Sequence, residues 1–462
     1  MERQRGRGPR AAGGGAHPSL KAITLLVLLL AGCATAPPRQ GQFADVDRLL
    51  ESYQERGAFP GGVLAVGYKG ALVHLHPFGA VSYDPDAPPV TARTLYDLAS
   101  LTKVVATTTM AMILVDEGRL DLDRPVREFL PGFQGPDKEA ITVRHLLTHS
   151  SGLPAVAPLF KEIQGQEAYL ERVQAMDLEY PPGSRSTYSD LGVILLGEIL
   201  ERVAGQPLEA FTRERIFEPL GMRDTLFRPP AQLRPRIAPT EQDPWRGRRV
   251  QGEVHDENAF AMGGVAPHAG LFGTASDLAR FAQMMLDGGI VSRETIALFT
   301  RRAAIPGSDR ALGWDTKSAQ GSSAGTLFSA NSFGHTGFTG TSMWIDPERQ
   351  LYVILLTNRV HPTRENNLIR EVRPAVADAV VRALGLPSAA RVRVGLERVA
   401  AGETGSLKGK RLGLIVHAAS VTAEGRHALD VFRDQGLTVT RLFSPEHGLR
   451  GQASAGEKVE RD

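Results

Sequence analysis

The chain has 462 residues, 42% of them hydrophobic and 23% charged, an ordinary globular composition with ample core. Its length suits one large domain with additions, or roughly three smaller ones. The formal charge is only +2, with Arg3, Arg5, Arg7 and Arg10 crowded at the start, so no basic face for nucleic acid is implied; a single cysteine, Cys33, excludes an intramolecular disulfide.

After the basic leader, the apolar run "AITLLVLLLAG" ends at Cys33 and is too short to span a bilayer. "LLAGC" resembles the bacterial lipoprotein signal, which implies export and lipidation of Cys33, with residues 1–33 as signal and 34–42 as a polar tether. Residues 61–79 alternate and break at "YKG", predicting a β-hairpin; "GTSMWIDPERQLYVILLTN" (340–358) predicts another with "DPERQ" as its turn. Helical periodicity fills the space between, as in 191–205 and 276–289, and a last amphipathic segment runs to Gly385. The expected fold class is α/β (α+β): an antiparallel sheet built from N- and C-terminal strands, flanked by helices, with an inserted mainly helical region and a cleft between the two. This domain is placed at 43–387, followed by a linker at 388–407. In the remainder, 408–462, "KRLGLIVHA", "GRHALDVFRDQG" and "LTVTRLF" predict a partial β-α-β unit.

The stretch "LASLTKVVATTTMAMI" (98–113) puts Lys103 into an apolar helical stripe, one turn after Ser100. Residues three apart on a helix are neighbours, and a lysine beside a serine can take its proton and make it a nucleophile. By spacing alone the pair also fits a helix-start serine and a snorkelling lysine. Downstream, "STYSDLG" sets Tyr188, Ser189 and Asp190 before a helix, and "FGHTGFTG" sets His335, Thr336 and Gly337 at the start of the late strand. With "ITVRHLLTHSSGLP" (141–154) and "HAGLFGTASDLARF" (268–281), these motifs resemble the serine β-lactamase and penicillin-binding-protein superfamily, in its class C-like esterase and peptidase branch, over about Phe43 to Leu386. The resemblance implies Ser100 as the acylated nucleophile, Lys103 as its partner and Tyr188 as the proton shuttle. It also implies His335, Thr336 and Gly337 on a strand beside the cleft, and an oxyanion hole from the Ser100 and Phe338 amides.

Two positions depart from that pattern. Asp190 stands where the family usually has asparagine; a carboxylate favours the charged form of Lys103, which shifts the base role to Tyr188, with the Lys103 charge lowering the tyrosine's pKa. His335 stands for lysine, and a mostly neutral imidazole predicts weaker anchoring of a substrate carboxylate and slow β-lactam turnover. His255, Asp256 and Glu257 are adjacent but lack metal-ligand spacing, so they are taken as a cleft-edge loop, and no metal or other cofactor is expected. "TNRVHPTREN" (357–366) is taken to position the last helix, and His149 and Ser150 to make local hydrogen bonds.

The tail "GKRLGLIVHAASVTAEGRHALDVF…RLFSPEHGLRG" resembles the opening of an exo-acting N-acetylmuramidase family, with Glu446 and His447 in its "PEHG" signature. It is several times shorter than that family's domain, so no glycosidase activity is expected. The function expected from the sequence is an exported, lipid-anchored serine hydrolase acting through an acyl-enzyme on peptidoglycan fragments or small esters and amides. The alternatives are a muramidase fusion and a non-catalytic wall-binding lipoprotein.

Overall fold

The computed structural model describes residues 41–387, 395–417, 420–422 and 425–444. A six-stranded antiparallel sheet contains β1 (Gly61–Tyr68), β2 (Ala71–Gly79), β3 (Asp315–Thr316), β4 (Phe333–Thr336), β5 (Ser342–Asp346) and β6 (Leu351–Thr357), in the spatial order β2-β1-β6-β5-β4-β3. Both expected hairpins form, the first through Lys69 (φ +49°) and Gly70 (φ +82°), the left-handed pair that a two-residue turn demands. The strands from the two ends of the domain meet in β1 and β6, with Val63 opposite Leu356 and Tyr68 opposite Leu351.

The central strands are buried on both faces, which their near-continuous apolar runs express better than alternation does. Val63 and Ala65 of β1, Met343 and Ile345 of β5, and Tyr352, Ile354 and Leu356 of β6 face one core. Leu64, Val66, Trp344, Leu351, Val353 and Leu355 face the other. Four helices matter for the site: α1 (Ala44–Glu55), α2 (Asp190–Ala204), α3 (Ala275–Asp287) and α4 (Ile369–Ala383). α1 and α4 pack together over the second core, whereas α3 lies across β1, β5 and β6 on the first. The inserted helical region shares that first core through residues such as Leu147, Leu195 and Phe211.

One strand is placed differently from expectation. His335 and Thr336 do not begin the late strand; they end the separate four-residue strand β4, antiparallel to β5 with His335 opposite Met343. Gly337 to Gly340 then form a tight turn, because Gly337 N–H bonds to Thr341 O at 2.7 Å and Gly340 N–H to Gly337 O at 3.1 Å.

The C-terminal segment contains the expected β-α-β unit: strands Arg411–Ile415 and Thr438–Phe443 pair in parallel across helix Ala428–Asp434. The stretch read as a linker carries a helix of its own, Gly395–Ala400, whose Val399 packs with Val431 and Leu437 in a small core. Cys33, Glu446 and His447 lie outside the described residues.

Candidate active site

Ser100 follows a strained corner. Asp97, buried at the end of a short strand paired with Leu271–Gly273, accepts the Ala99 N–H at 2.8 Å and the His255 N–H at 2.6 Å through its two carboxylate oxygens. Burial pushes its pKa up, and the two amides oppose that. Ala99 sits at φ +47°, a conformation a non-glycine residue avoids at a cost of about 1–2 kcal/mol, so the Asp97 bonds hold the corner open. The turn after β4 is bolted to the same corner, with Thr339 Oγ1 donating to Asp97 O at 2.7 Å and Thr341 Oγ1 to Leu98 O at 3.0 Å. Gly337 permits the approach, since a Cβ there would lie 2.0 Å from Thr341 Oγ1 and 2.6 Å from Leu98 O. Neither the Ser100 nor the Phe338 amide donates to an acceptor among the described residues, which leaves both N–H groups for a ligand.

Beyond Ser100 the chain is helical through 101–116, with a π-type stretch over Lys103–Thr108 that re-aims side chains at the point where Lys103 enters the core. Lys103 is 3% exposed. Its ammonium donates to Ser100 Oγ at 3.0 Å and to His268 O at 2.8 Å, and forms an ion pair with Asp190 Oδ1 at 2.7 Å. Burial alone would lower the pKa of Lys103, but the adjacent charge of Asp190, aided by Tyr188, outweighs it and holds the amine protonated. An ammonium with its three protons so engaged has no lone pair to offer a serine.

Tyr188 and Asp190 reach this lysine because Ser189 anchors the start of α2: its Oγ accepts the Gly192 N–H at 3.1 Å and donates to Pro154 O at 2.6 Å. His149 and Ser150 act as local struts, as expected. His149 Nδ1 accepts the Ser189 N–H at 3.0 Å, and its ring lies 4.6 Å from the Tyr188 ring; Ser150 Oγ is 2.7 Å from Thr148 Oγ1. The Lys103 ammonium and the Arg310 guanidinium lie 5.0 and 4.8 Å from the Tyr188 ring centre. The phenol oxygen is buried with no hydrogen-bond partner. Burial raises the Tyr188 pKa; Lys103 pulls the other way and does not prevail, so the lysine's charge softens the shift rather than producing the net depression expected from sequence.

His335 is buried, and burial drives its pKa down to about 4, with Arg310 and Lys103 adding to the effect. Its Nδ1 lies 2.8 Å from Thr336 O, a contact that only an N–H satisfies, so the neutral ring leaves Nε2 as an unpartnered acceptor. The positive charge missing at position 335 is supplied by arginines instead. Arg310, Arg359, Arg364, Arg370 and Arg373 line the cleft of about 370 Å³ that also exposes Ser100, Tyr188, Thr336, Gly337 and Phe338. Arg310 pairs with Asp315, and Arg364 with Glu241 and Glu257. Arg359, Arg370 and Arg373 have no carboxylate at ion-pair distance among the described residues. Arg359 instead bonds Phe338 O at 2.8 Å, and Arg373 bonds Gly337 O and Thr341 O at 2.7 and 2.8 Å, which fixes the turn carrying the Phe338 amide.

All eight residues singled out around the serine therefore meet at one place, with Lys103 and Asp190 beneath its floor. His255, Asp256 and Glu257 diverge as expected. His255 bonds Glu241 at 2.8 Å; Asp256 bonds His268 at 3.1 Å and caps the next helical turn; Glu257 pairs with Arg364. Sequence reasoning missed Asp97, His268 and the arginine wall. Only the run "RENNLIREVR" (364–373) signalled the last, by its spacing of cations at the start of α4. A larger cavity of about 830 Å³, beside Met285, Ile296 and Lys317, holds no acid–base pair near a nucleophile.

The profile of the Beta-lactamase family matches residues 46–377, most of the chain. The chain belongs to the beta-lactamase family. As a member, it is a serine hydrolase with the mixed fold described above. A protein of Escherichia coli O157:H7 provisionally named a D-alanyl-D-alanine carboxypeptidase is 36% identical over 359 residues, spanning 68% of this chain and 82% of its own length. An N-acetylmuramyl-L-alanine amidase of Bacillus subtilis is 35% identical over 357 residues, or 68% and 80% of the two chains. Among solved structures, a penicillin-binding protein homologue from Caulobacter crescentus is similar to this beta-lactamase-family chain with a TM-score of 0.59 and 26% identity, covering 74% of this chain and 97% of that one. A hydrolase with promiscuous acyltransferase activity, EstCE1, has a TM-score of 0.62 at 24% identity over 74% and 98%. Residues 412–462 match the N-terminal part of the exo-beta-N-acetylmuramidase NamZ family.

Proposed function

We propose that the protein hydrolyses amide or ester bonds of cell-wall fragments through an acyl-enzyme on Ser100. The observation that carries this reading is the saturated Lys103 ammonium, bonded to Ser100 Oγ at 3.0 Å and paired with Asp190, beneath the unpartnered hydroxyl of Tyr188. With Lys103 unable to accept a proton, the phenolate form of Tyr188 takes the proton of Ser100 as Oγ bonds to the substrate carbonyl carbon. The carbonyl oxygen becomes an oxyanion held by the Ser100 and Phe338 amides. Tyr188 then passes that proton to the leaving amine or alkoxide as its bond to carbon breaks. In the second half, water replaces Ser100 by the same sequence of transfers. The Lys103 charge stabilises the phenolate, and Asp190 keeps that charge in place.

The arginines without carboxylate partners favour a substrate that brings a carboxylate into the cleft, which a stem peptide with a free C-terminus does. This reverses the weak anchoring inferred from His335 alone. The names of the relatives support wall peptides as the substrate class, and the muramidase-like segment points to the same polymer. Export and attachment through a lipid on Cys33 are part of the proposal and rest on the "LLAGC" motif.

The test is steady-state hydrolysis of a muramyl peptide with a free C-terminal carboxylate against the same peptide amidated. A charge-assisted bond worth about 1.5–3 kcal/mol corresponds to a kcat/KM about 10- to 100-fold higher for the free acid. Equal values for the two, or no hydrolysis of either, contradict the proposal.

A further inference from the structure

We infer that Asp47, His74 and His76 form a binding site for one divalent transition metal ion such as zinc, on the far side of the sheet from the serine cleft. The three residues come together through the fold alone. Asp47 lies in the first turn of α1, whereas His74 and His76 are two apart on β2, an edge strand. Their partners across the ladder, Val66 and Leu64, point into the core covered by α1 and α4, so both imidazoles face α1. His74 Nε2 lies 2.7 Å from Asp47 Oδ1 and His76 Nε2 lies 3.8 Å from the same oxygen, and the three ligand atoms fall within 4.8 Å of one another.

Three features favour an ion over a plain ion pair. First, a metal held at about 2.0–2.2 Å by nitrogen and oxygen ligands needs them about 3–3.5 Å apart, which 2.7 and 3.8 Å bracket. Second, His76 Nε2 is buried and has no hydrogen-bond partner, so His74 uses the carboxylate and His76 is left aimed at it with nothing to bind. Third, the rings are pre-set: Phe43, His74, His76 and Phe78 stack in a row, with centroid separations of 4.5, 5.6 and 5.8 Å and interplanar angles of 18°, 13° and 16°. The side chains keep 18–26% of their surface exposed, so the cluster lies close to solvent.

The site does not touch the reacting groups, because β2 is one edge of the sheet while β3 and β4, beside the cleft, are the other. A bound ion would clamp α1 to the sheet edge and stabilise the fold. The sequence reading missed it because an H-x-H pair on a strand is common, and its third partner sits 27 residues earlier on a different element.

The experiment uses the full chain without a polyhistidine tag, stripped with chelator and titrated with Co²⁺ and then Zn²⁺, alongside Asp47→Asn and His76→Gln. The expected result is uptake of one equivalent, visible Co²⁺ d–d absorption that Zn²⁺ displaces, and a higher unfolding midpoint with zinc. Both variants should bind more weakly by over about 10- to 100-fold, the loss typical of altering only a ligand's neighbour. If His76→Gln does not fold, as judged by circular dichroism, Asp47→Asn alone decides. No stoichiometric uptake by the parent, or uptake that the folded variants retain unchanged, overturns the inference. Ester hydrolysis should be the same with and without the ion.

Discussion

His335→Gln should make the protein less sensitive to acid. In the folded chain the imidazole stays neutral down to about pH 4, whereas in the unfolded chain it takes a proton near its ordinary value of 6.5. Between those values the unfolded state binds more protons, so this residue's contribution is intact above pH 6.5 and is lost as the pH falls through the window. Each pH unit of the gap is worth about 1.4 kcal/mol, so the full loss is about 3 kcal/mol, of which about 2 kcal/mol has gone by pH 5. Glutamine cannot titrate, and its carbonyl can replace the Nε2 acceptor. Urea unfolding of parent and variant at pH 7.5 and at pH 5 reads the effect: the parent should lose about 2 kcal/mol more than the variant on acidification. His149, also held well below its ordinary value by burial, contributes in the same direction to both proteins and cancels in the difference. Equal losses would refute the buried neutral imidazole and, with it, the idea that this position carries no charge at neutral pH.

Asp190→Asn removes the carboxylate that raises the pKa of both Lys103 and Tyr188, so the acid limb of the kcat/KM profile should move to lower pH; an unmoved limb argues against Tyr188 as base. The same change leaves a buried ammonium without its counter-charge and should cost about 3 kcal/mol in denaturant unfolding, the low end for such losses because Ser100 and His268 still accept from it. Gly337→Ala forces a methyl group to within 2.6 Å of Leu98 O, so the turn must shift and carry the Phe338 amide with it; kcat should fall about 100- to 1000-fold, and near-parental turnover would exclude that amide from the oxyanion hole.

The sheet was legible from sequence because both hairpins announce themselves by turn residues flanked by apolar runs, and the helices by their period. What escaped was short or non-local. β4 has four residues and merges by eye with the strand after it, so His335 was put on the wrong strand while its place beside the cleft was right. The motif residues Ser100, Lys103, Tyr188 and His335 could be named because each sits in a recognisable local pattern. Asp97 works by accepting the backbone amides of Ala99 and His255, and His268 through its own backbone carbonyl, which no side-chain pattern reveals. The base question depended on how many partners Lys103 finds. Those partners, Asp190, the His268 carbonyl and Ser100, come from three separate stretches of the chain. Likewise the charge lost at position 335 was visible, but its replacement by arginines from the loop after β6 and from α4 was not.

Intact-protein and peptide mass spectrometry after incubation with a fluorophosphonate and with a penicillin reads an acyl-enzyme on Ser100 directly. A single covalent adduct is expected on the peptide containing Ser100, absent in Ser100→Ala. No adduct with either reagent, or an adduct that persists in Ser100→Ala, would contradict it.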